Sequence, residues 1–320
     1  MRSSLIIGAA VAAISFASPS LGQLTPTLPT SLNPVSTFAL PGGAFDVLPD
    51  GRLLGVTAGG NIRLQDALNS SSYTTTNTIA PPNSSGFGAS FLSISPNGAS
   101  VAIGDNEFNA SAAVTVFAAA SLTSAGPATT VATIATPNFR GDWADNNTLF
   151  VTGATSDTFT TVVNSLDIAA GTSTTVVTPA GGFSGGVAAN DGTLFVGAGD
   201  TGEVRSFDAS FPLSPLTFAD GASVATANSA GSIDAFGSLV LIAGQQFGST
   251  GSAFVIDQAT GDSILLQPAG PDAFYGGYFN PATNQLIVTA GGTGIVNNVP
   301  APATLALAPL GRVALRRRRA

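Results

Sequence analysis

A repeat of nearly constant length is the feature that most constrains the fold of this chain. Six segments each contain an approach to a turn, the turn itself and then an apolar run, as in FDVLPDGRLLGVTAGG and SIDAFGSLVLIAG. The turn residues are Asp50, Asn97, Asn146, Asp191, Gly237 and Asn284, at spacings of 47, 49, 45, 46 and 47 residues. A β-patterned repeat of this length is typical of propeller blades, which bury their apolar strands against neighbouring blades.

Each repeat has the pattern of a small antiparallel sheet. The run after the turn, such as Leu239 to Ile242, is apolar at consecutive positions, which indicates a strand buried on both faces. An alternating strand follows (EVRSFD, AFVIDQ), and then an outer strand rich in Thr and Val (TTTNTIA, STTVVT). The sequence therefore predicts an all-β chain that forms a β-propeller of six blades, with four antiparallel strands in each blade.

The two ends of the repeat region predict how the ring closes. The last unit ends after three strands near TGIVNN, whereas an orphan strand, PVSTFAL, precedes the first unit. We expect residues 34–40 to supply the fourth strand of the last blade, because this pairing removes two open sheet edges. The propeller would then span residues 34–299. The alternatives are seven blades, with a degenerate unit in residues 205–232, and a long β-sandwich or solenoid of the same spacing.

The segment before the propeller has the composition of an export signal. Residues 1–22 combine Arg2, an apolar run from Leu5 to Phe16 and a small-residue cleavage site before Gln23. This order is typical of a secretory signal peptide. A Pro-containing linker, residues 23–33, joins it to the first strand. We therefore expect the domain to be exported, at the cell surface or in the extracellular space.

The C-terminal tail, residues 300–320, has the layout of a sorting signal. A Pro-containing tetrapeptide comes before a short apolar segment, and an arginine cluster ends the chain. The residues of this pattern are Val299, Pro300, Ala301 and Pro302, then Arg316, Arg317, Arg318 and Arg319. The pattern resembles the bacterial PEP-CTERM signal, with Ala301 where that motif has Glu, and the resemblance implies an exosortase-type enzyme as a partner. A stable membrane span needs about 20 apolar residues, so we expect this tail to contact the membrane only transiently.

The composition of the body excludes several classes of function. The chain has no His, Cys or Lys, which excludes Ser-His-Asp catalysis, thiolate nucleophiles, ordinary zinc sites and Schiff-base lysines. Between Gln23 and Val299, four arginines oppose all 18 acidic residues, so the side-chain net charge of this part is −14. Such a surface repels nucleic acid and anionic membranes, and it is compatible with cations or with neutral ligands such as glycans.

Three carboxylates are candidates for a site on the propeller axis. Asp46, Asp142 and Asp234 come at similar positions before the turn in blades one, three and five, where the first strand lines the central channel. The other blades carry no carboxylate at this position; their residues are Ser93, Val187 and Tyr278. Three converging carboxylates have the oxygen chemistry that Ca²⁺ prefers. The simpler interpretation is that each aspartate bonds to nearby backbone or to solvent.

Aromatic residues beside an arginine form a second candidate site. They lie in the loops that lead into the first strands. The candidates for a ligand-binding face are Phe139, Arg140, Trp143, Phe183 and Tyr275, with Phe87 and Phe274 in equivalent loops. Exposed rings of this kind stack on sugars, whereas buried rings pack between blades.

An acidic loop, GDNEFNAS at residues 104–111, is a third candidate. Its oxygen-bearing residues are Asp105, Asn106, Glu107 and Asn109. Their spacing differs from that of an EF-hand. The loop is therefore interpreted either as a small Ca²⁺-binding loop or as a solvated turn.

Together these features favour a binding or structural module over an enzyme. The blades also resemble generic bacterial β-propeller repeats, as in VIDQATGDSILL, and this resemblance carries no functional residues with it. We predict an exported cell-surface or extracellular-matrix protein that binds glycans or another surface polymer, such as extracellular polysaccharide. The alternatives are a Ca²⁺-assisted, carboxylate-dependent lyase or hydrolase acting on the propeller axis, and a structural domain without a specific ligand.

Overall fold

The computed structural model describes residues 34–65, 70–84, 86–107, 109, 111–154, 160–178, 185–199, 201–211, 214–227, 230–244, 252–266, 276–280, 283–290 and 293–299. These residues form six small sheets that lie in a ring, as the blades of a β-propeller do. The first strand of each blade contacts the first strands of the blades on either side, and blade six contacts blade one. The prediction of six blades is confirmed, and the alternatives of seven blades, a sandwich or a solenoid are wrong.

The described part of the chain begins with β1 (Pro34–Ala39), and blades one and two follow. Blade one contains β2 (Ala44–Val47), β3 (Leu53–Val56), β4 (Asn61–Gln65) and β5 (Tyr73–Thr78). Blade two contains β6 (Leu92–Ile94), β7 (Ser100–Gly104), β8 (Ala113–Ala118) and β9 (Thr130–Ala135), with the short helix α1 (Ala119–Leu122) after β8. Within the described ranges, no helix has the length and apolar character needed to cross a membrane.

The region in which the sequence allowed a seventh blade belongs to blades three and four. Blade three contains β10 (Arg140–Trp143), β11 (Thr148–Ala154), β12 (Thr161–Asp167) and β13 (Thr172–Thr178). Blade four contains β14 (Val187–Asn190), β15 (Thr193–Gly197), β16 (Glu203–Asp208) and β18 (Ala222–Thr226). Between β16 and β18, the two-residue strand β17 (Leu216–Thr217) adds to the outer edge of blade three, and a 3₁₀ turn (Phe218–Asp220) follows it.

The ring closes through a pairing of the two ends of the propeller. Blade five contains β19 (Ser232–Phe236), β20 (Leu239–Gly244), β21 (Ser252–Asp257) and β22 (Ser263–Leu266). Blade six contains β23 (Gly276–Asn280), β24 (Gln285–Ala290) and β25 (Thr293–Asn298), and β1 pairs antiparallel with β25 as its fourth strand. The orphan strand therefore lies where the sequence predicts it, and it covers an edge that would otherwise be open.

The hydrophobic core lies between the blades. Each of the six apolar clusters combines residues of two adjacent blades, for example Leu54 with Val101 in blades one and two, or Leu241 with Leu286 in blades five and six. Every cluster includes residues of second strands, and β20 is buried at all six of its positions. Because a single blade has no partner for these side chains, the blades are stable only when they stack around the ring.

Candidate functional site

The six first strands converge on a small cavity at the propeller axis. This axial cavity has a volume of about 50 Å³, enough for a few water molecules. Its walls include all six of the predicted channel residues, Asp46, Ser93, Asp142, Val187, Asp234 and Tyr278. The structure thus brings the three aspartates, which are far apart in the sequence, to one enclosed space.

Each aspartate connects its own blade to the next one. The Oδ1 atom of Asp46 accepts a hydrogen bond from the backbone N–H of Val47 at 2.7 Å, and its Oδ2 atom accepts one from the N–H of Ile94 in blade two, also at 2.7 Å. The other two aspartates repeat this arrangement. The donors are Trp143 and Ala189 for Asp142, at 2.9 and 2.7 Å, and Ala235 and Phe279 for Asp234, at 2.8 and 2.5 Å. We call these contacts, between blades one and two, three and four, and five and six, the carboxylate seams.

The remaining three contacts between blades are bridged by neutral side chains. The indole N–H of Trp143 donates to the carbonyl of Ser93 at 3.1 Å and connects blade three to blade two. The other two bridges are Asn190 to the carbonyl of Gly237 at 2.8 Å, between blades four and five, and Asn280 to the carbonyl of Gly51 at 3.0 Å, between blades six and one. We call these three contacts the neutral seams.

Burial changes the acidity of the axial carboxyl groups. Their removal from bulk water disfavours the charged form, and this effect outweighs the backbone hydrogen bonds that favour it. It raises the pKa of Asp46 to about 7 and the pKa of Asp142 to about 6. Burial, together with the charges of Asp142 and Asp46, also raises the pKa of Asp234 well above its usual value. Asp46 and Asp142 therefore exchange protons near neutral pH rather than near pH 4, and the pKa of Asp234 shifts in the same direction.

The axial carboxylates do not form a metal-binding group. Among the described residues, no three Asp or Glu side chains are arranged to hold a metal ion. Both oxygens of each axial aspartate already accept a backbone N–H, which is the simpler of the two interpretations made from the sequence. The expected Ca²⁺ site at Asp46, Asp142 and Asp234 therefore finds no support in their geometry.

The pairing register corrects the predicted equivalence in blade four. Ala188 pairs with Phe195, as Asp142 pairs with Phe150, so Ala188 rather than Val187 is the counterpart of the aspartates. The reason is a tighter hairpin. Asp191 and Gly192 both have positive φ, at 47° and 76°, which is the conformation of a two-residue type I′ turn.

A second cavity, the mouth pocket, adjoins the axial cavity where the first strands begin. It has a volume of about 230 Å³ and shares Phe91, Arg140 and Tyr278 with the axial cavity. Its walls also include Gly43, Ser90 and Thr289, among other residues of blades one, two and six. The ring of Tyr278 packs against Phe45 with centroids 4.5 Å apart. The mouth pocket therefore combines polar groups with aromatic surface.

The guanidinium group of Arg140 spans several blades. Its Nη1 atom donates to the carbonyl oxygens of Ser90 at 2.6 Å and Phe139 at 3.2 Å, and its Nε atom donates to the carbonyl oxygen of Gly231 at 3.2 Å. These acceptors precede the first strands of blades two, three and five. The predicted ligand-face residue Arg140 is therefore held rigidly at the wall of both cavities.

The predicted aromatic partners of Arg140 have other roles. Phe139 and Trp143 are buried, at 7% and 4% exposure, and Trp143 packs in the cluster between blades two and three. Their burial leaves little of either ring exposed to a ligand. The candidates Phe183 and Tyr275, like Phe274, lie outside the described residues. Phe87 is 81% exposed in its loop.

The acidic loop at residues 104–111 uses its side chains within the fold. Asp105 accepts a hydrogen bond from the N–H of Ala113 at 2.7 Å, and Glu107 accepts one from the N–H of Ser84 at 2.8 Å. The hydrogen bonds from Ser84 lower the pKa of Glu107. This loop therefore joins blade two to the segment before it, as the solvated-turn interpretation predicts.

The sorting-signal residues lie mostly beyond the described part of the chain. Val299 is buried in the cluster between blades five and six, and its N–H donates to the carbonyl of Asn284 at 2.8 Å. Pro300 to Pro302 and Arg316 to Arg319, like residues 1–22, lie outside the described residues.

Sequence reasoning did not identify the mouth pocket. Phe91 and Gly43 carry no motif, and they join Arg140 and Tyr278 only after the ring has closed. The one available signal was Pro41-Gly42-Gly43 directly before a first strand, because paired glycines let the backbone approach other groups closely.

Comparisons with known proteins support the fold. No protein-family model and no curated protein matches the chain. Among solved structures, it is similar to a chain in the crystal structure of a mitotic checkpoint complex, with a TM-score of 0.51 and 13% identity over 92% of this chain and 99% of that one. It is also similar to TolB from Acinetobacter baumannii, with a TM-score of 0.51 and 11% identity over 79% of this chain and 62% of TolB. At such identities the similarity shows the β-propeller fold alone.

Proposed function

We propose that this protein is an exported surface β-propeller that binds a saccharide in its mouth pocket. The proposal of export comes from the signal-like residues 1–22 and from the resemblance of the tail to a sorting signal. An exosortase-type enzyme would act on that tail, and the saccharide would belong to an extracellular polysaccharide or a similar surface polymer.

The mouth pocket is the observation that carries this proposal. Its volume of about 230 Å³ lies below the roughly 300–1,000 Å³ of pockets for drug-sized ligands, so it suits a smaller group such as one sugar ring. Sugars bind through hydroxyl groups to polar side chains and through C–H faces to aromatic rings. Arg140, Ser90 and Thr289 supply polar groups, and the half-buried ring of Tyr278 supplies aromatic surface.

The alternative of a lyase or hydrolase on the axis has less support. A catalytic carboxylate has to reach the substrate, within hydrogen-bond distance of the reacting atom. The axial cavity of about 50 Å³ has room for a few water molecules and not for a sugar ring. The oxygens of its carboxylates are also engaged by backbone N–H groups.

A variant that fills the mouth pocket tests the proposal. Gly43 lines this pocket, and a Cβ atom added to it would meet nothing within 4 Å. We expect Gly43→Trp to keep the melting temperature of the wild type and to lose at least about tenfold in affinity for any glycan that the wild type binds on a glycan array.

Gly59 offers a matched control. It lies outside the walls of the mouth pocket, and the nearest group to an added Cβ would be the hydroxyl of Thr57 at 4.0 Å. Gly59→Trp is expected to bind the same glycans as the wild type. An array without any bound glycan, or binding that survives Gly43→Trp, would refute a saccharide site in this pocket.

A further inference from the structure

We infer that the mouth pocket selects an acidic sugar, a uronate, whose carboxylate pairs with Arg140. This inference rests on the proposed saccharide site and adds the chemical class of the sugar. It starts from the fact that, among the described residues, no carboxylate pairs with the positive charge of Arg140.

Arg140 differs from every other arginine in the described residues. The other three have a charged or aromatic partner: Arg52 pairs with Asp50 at 2.6 Å, Arg205 pairs with Glu203 at 2.5 Å, and Arg63 lies over the ring of Tyr73 at 4.4 Å. Arg140 contacts only carbonyl oxygens, and it forms no ion pair although three aspartates line the adjoining cavity. Carbonyl groups orient a guanidinium group without neutralising it.

Two hydrogen-bond donors remain for a ligand. Within the described part of the chain, the Nη2 atom of Arg140 and the hydroxyl group of Tyr278 have no hydrogen-bond partner, and both residues line the mouth pocket. Burial raises the pKa of Tyr278 to about 12, so its hydroxyl group keeps the proton that it donates. A carboxylate accepts from a guanidinium and a phenol at the same time through its two oxygens, and such charge-assisted bonds are about twice as strong as neutral ones.

The axial aspartates determine the pH at which this pocket favours an anion. The charged and titratable groups that surround Arg140 here are Asp46, Asp142, Asp234 and Tyr278. Burial raises the pKa of each of these aspartates, to about 7 for Asp46 and about 6 for Asp142, so at mildly acidic pH they are largely neutral. The guanidinium charge is then unopposed at the mouth. The net charge of the body acts more weakly, because salt screens exposed charges beyond about 8 Å.

A pair of probes that differ only in charge tests the inference. Isothermal titration calorimetry at pH 5.5 and 0.15 M salt compares trigalacturonate with its fully methyl-esterified form. We expect the acid to bind at least about tenfold tighter than the ester, as one charge-assisted hydrogen bond predicts. At pH 8 the acid is expected to lose affinity while the ester does not.

Variants test whether Arg140 causes the preference for the acid over the ester. Arg140→Gln is expected to bind both probes with equal affinity, whereas Arg63→Gln, the same change at an arginine outside the pocket, keeps the preference. Tyr278→Phe is expected to reduce the affinity for the acid several-fold more than the affinity for the ester. It serves as the test if Arg140→Gln melts at a lower temperature than the wild type.

The outcomes separate this inference from the function on which it rests. Equal affinity of the wild type for acid and ester, or a preference that survives Arg140→Gln, would overturn the uronate inference. If a neutral glycan then binds and Gly43→Trp abolishes that binding, the saccharide site stands without the uronate. If no glycan binds the wild type, the proposed function fails as well.

Discussion

The carboxylate seams and the neutral seams alternate around the ring, so each blade has one of each. Both kinds bury a similar apolar cluster between second strands. They differ in their polar bridges: in one kind a carboxyl group accepts from two backbone N–H groups, as Asp46 does, and in the other an indole or amide donates to a carbonyl, as Asn190 does. Only the carboxyl group changes its charge with pH. The comparison shows that six blades built from one repeat are joined by two kinds of polar connection, which alternate three times around the ring.

The largest expected effect is the response of the carboxylate seams to pH. Their folded pKa values lie above the value of about 3.9 for an aspartate in the unfolded chain. Between these values the folded state binds protons that the unfolded state has lost. The stability that these bound protons contribute is therefore complete below about pH 4, and the part contributed by Asp46 and Asp142 is lost as pH rises to about 7. Each carboxyl contributes at most about 1.4 kcal/mol per pH unit to the free energy of unfolding.

Urea unfolding at pH 5, 6, 7 and 8 measures this response. The matched variant replaces Asp46, Asp142 and Asp234 by Asn together, and its free energy of unfolding is expected to change little over the same range. A slope that persists in this variant would mean that other groups cause it.

A single substitution in each kind of seam is expected to have the next largest effect. At pH 5, Asp142→Ala leaves the N–H groups of Trp143 and Ala189 without an acceptor and is expected to lower the free energy of unfolding by about 2–3 kcal/mol. Asn190→Ala removes one bond to a carbonyl, so we expect a loss of about 1 kcal/mol that is the same at pH 5 and pH 8. Chemical denaturation of both variants at both pH values checks this order. Equal losses would contradict the distinction between the seams.

The smallest expected effect concerns a carboxylate outside the seams. The pKa of Asp50 is lowered, mainly by its hydrogen bond with Arg52 on an exposed turn. Asp50→Asn is expected to change the free energy of unfolding by less than about 1 kcal/mol at pH 7. Because the pKa is lowered, this contribution disappears as pH falls below about 4, opposite in sign to the axial groups. Thermal melts at pH 3 and pH 7 test the sign.

The architecture was predictable because it depends on features that recur along the chain. Six turns at spacings of 45 to 49 residues indicate six blades, and the fully apolar run at Leu239 to Ile242 indicates a strand with a neighbour on both faces. The closing strand was predictable because the last repeat contains only three strands, whereas the strand PVSTFAL precedes the first repeat. Asp46, Asp142 and Asp234 were predicted to converge because similar offsets, of three or four residues before equivalent turns, place residues at similar heights in a ring.

The candidate site was less predictable because it depends on local geometry. The offset of four residues that holds before Asp50 and Asn146 fails at Val187, since the hairpin at Asp191 has a two-residue turn, as the hairpin of blade five does. Trp143 and Arg140 are close in one strand, yet one packs between blades and the other lines the mouth pocket. A sequence shows that both residues are near the axis, but which way each side chain turns depends on the space that neighbouring blades leave.

The strand exchange that completes blade six has a consequence for how the protein is made. The 253 residues between Ala39 and Thr293 must all leave the ribosome before β1 can meet its partner β25. Until then the hydrogen-bonding groups of β1 lack this partner, and blade one lacks its neighbour, blade six. Truncation before Asn298 is therefore expected to yield an open ring that aggregates through its exposed strand edges and apolar surface. Synthesis of β25 thus decides whether the preceding blades form a stable domain.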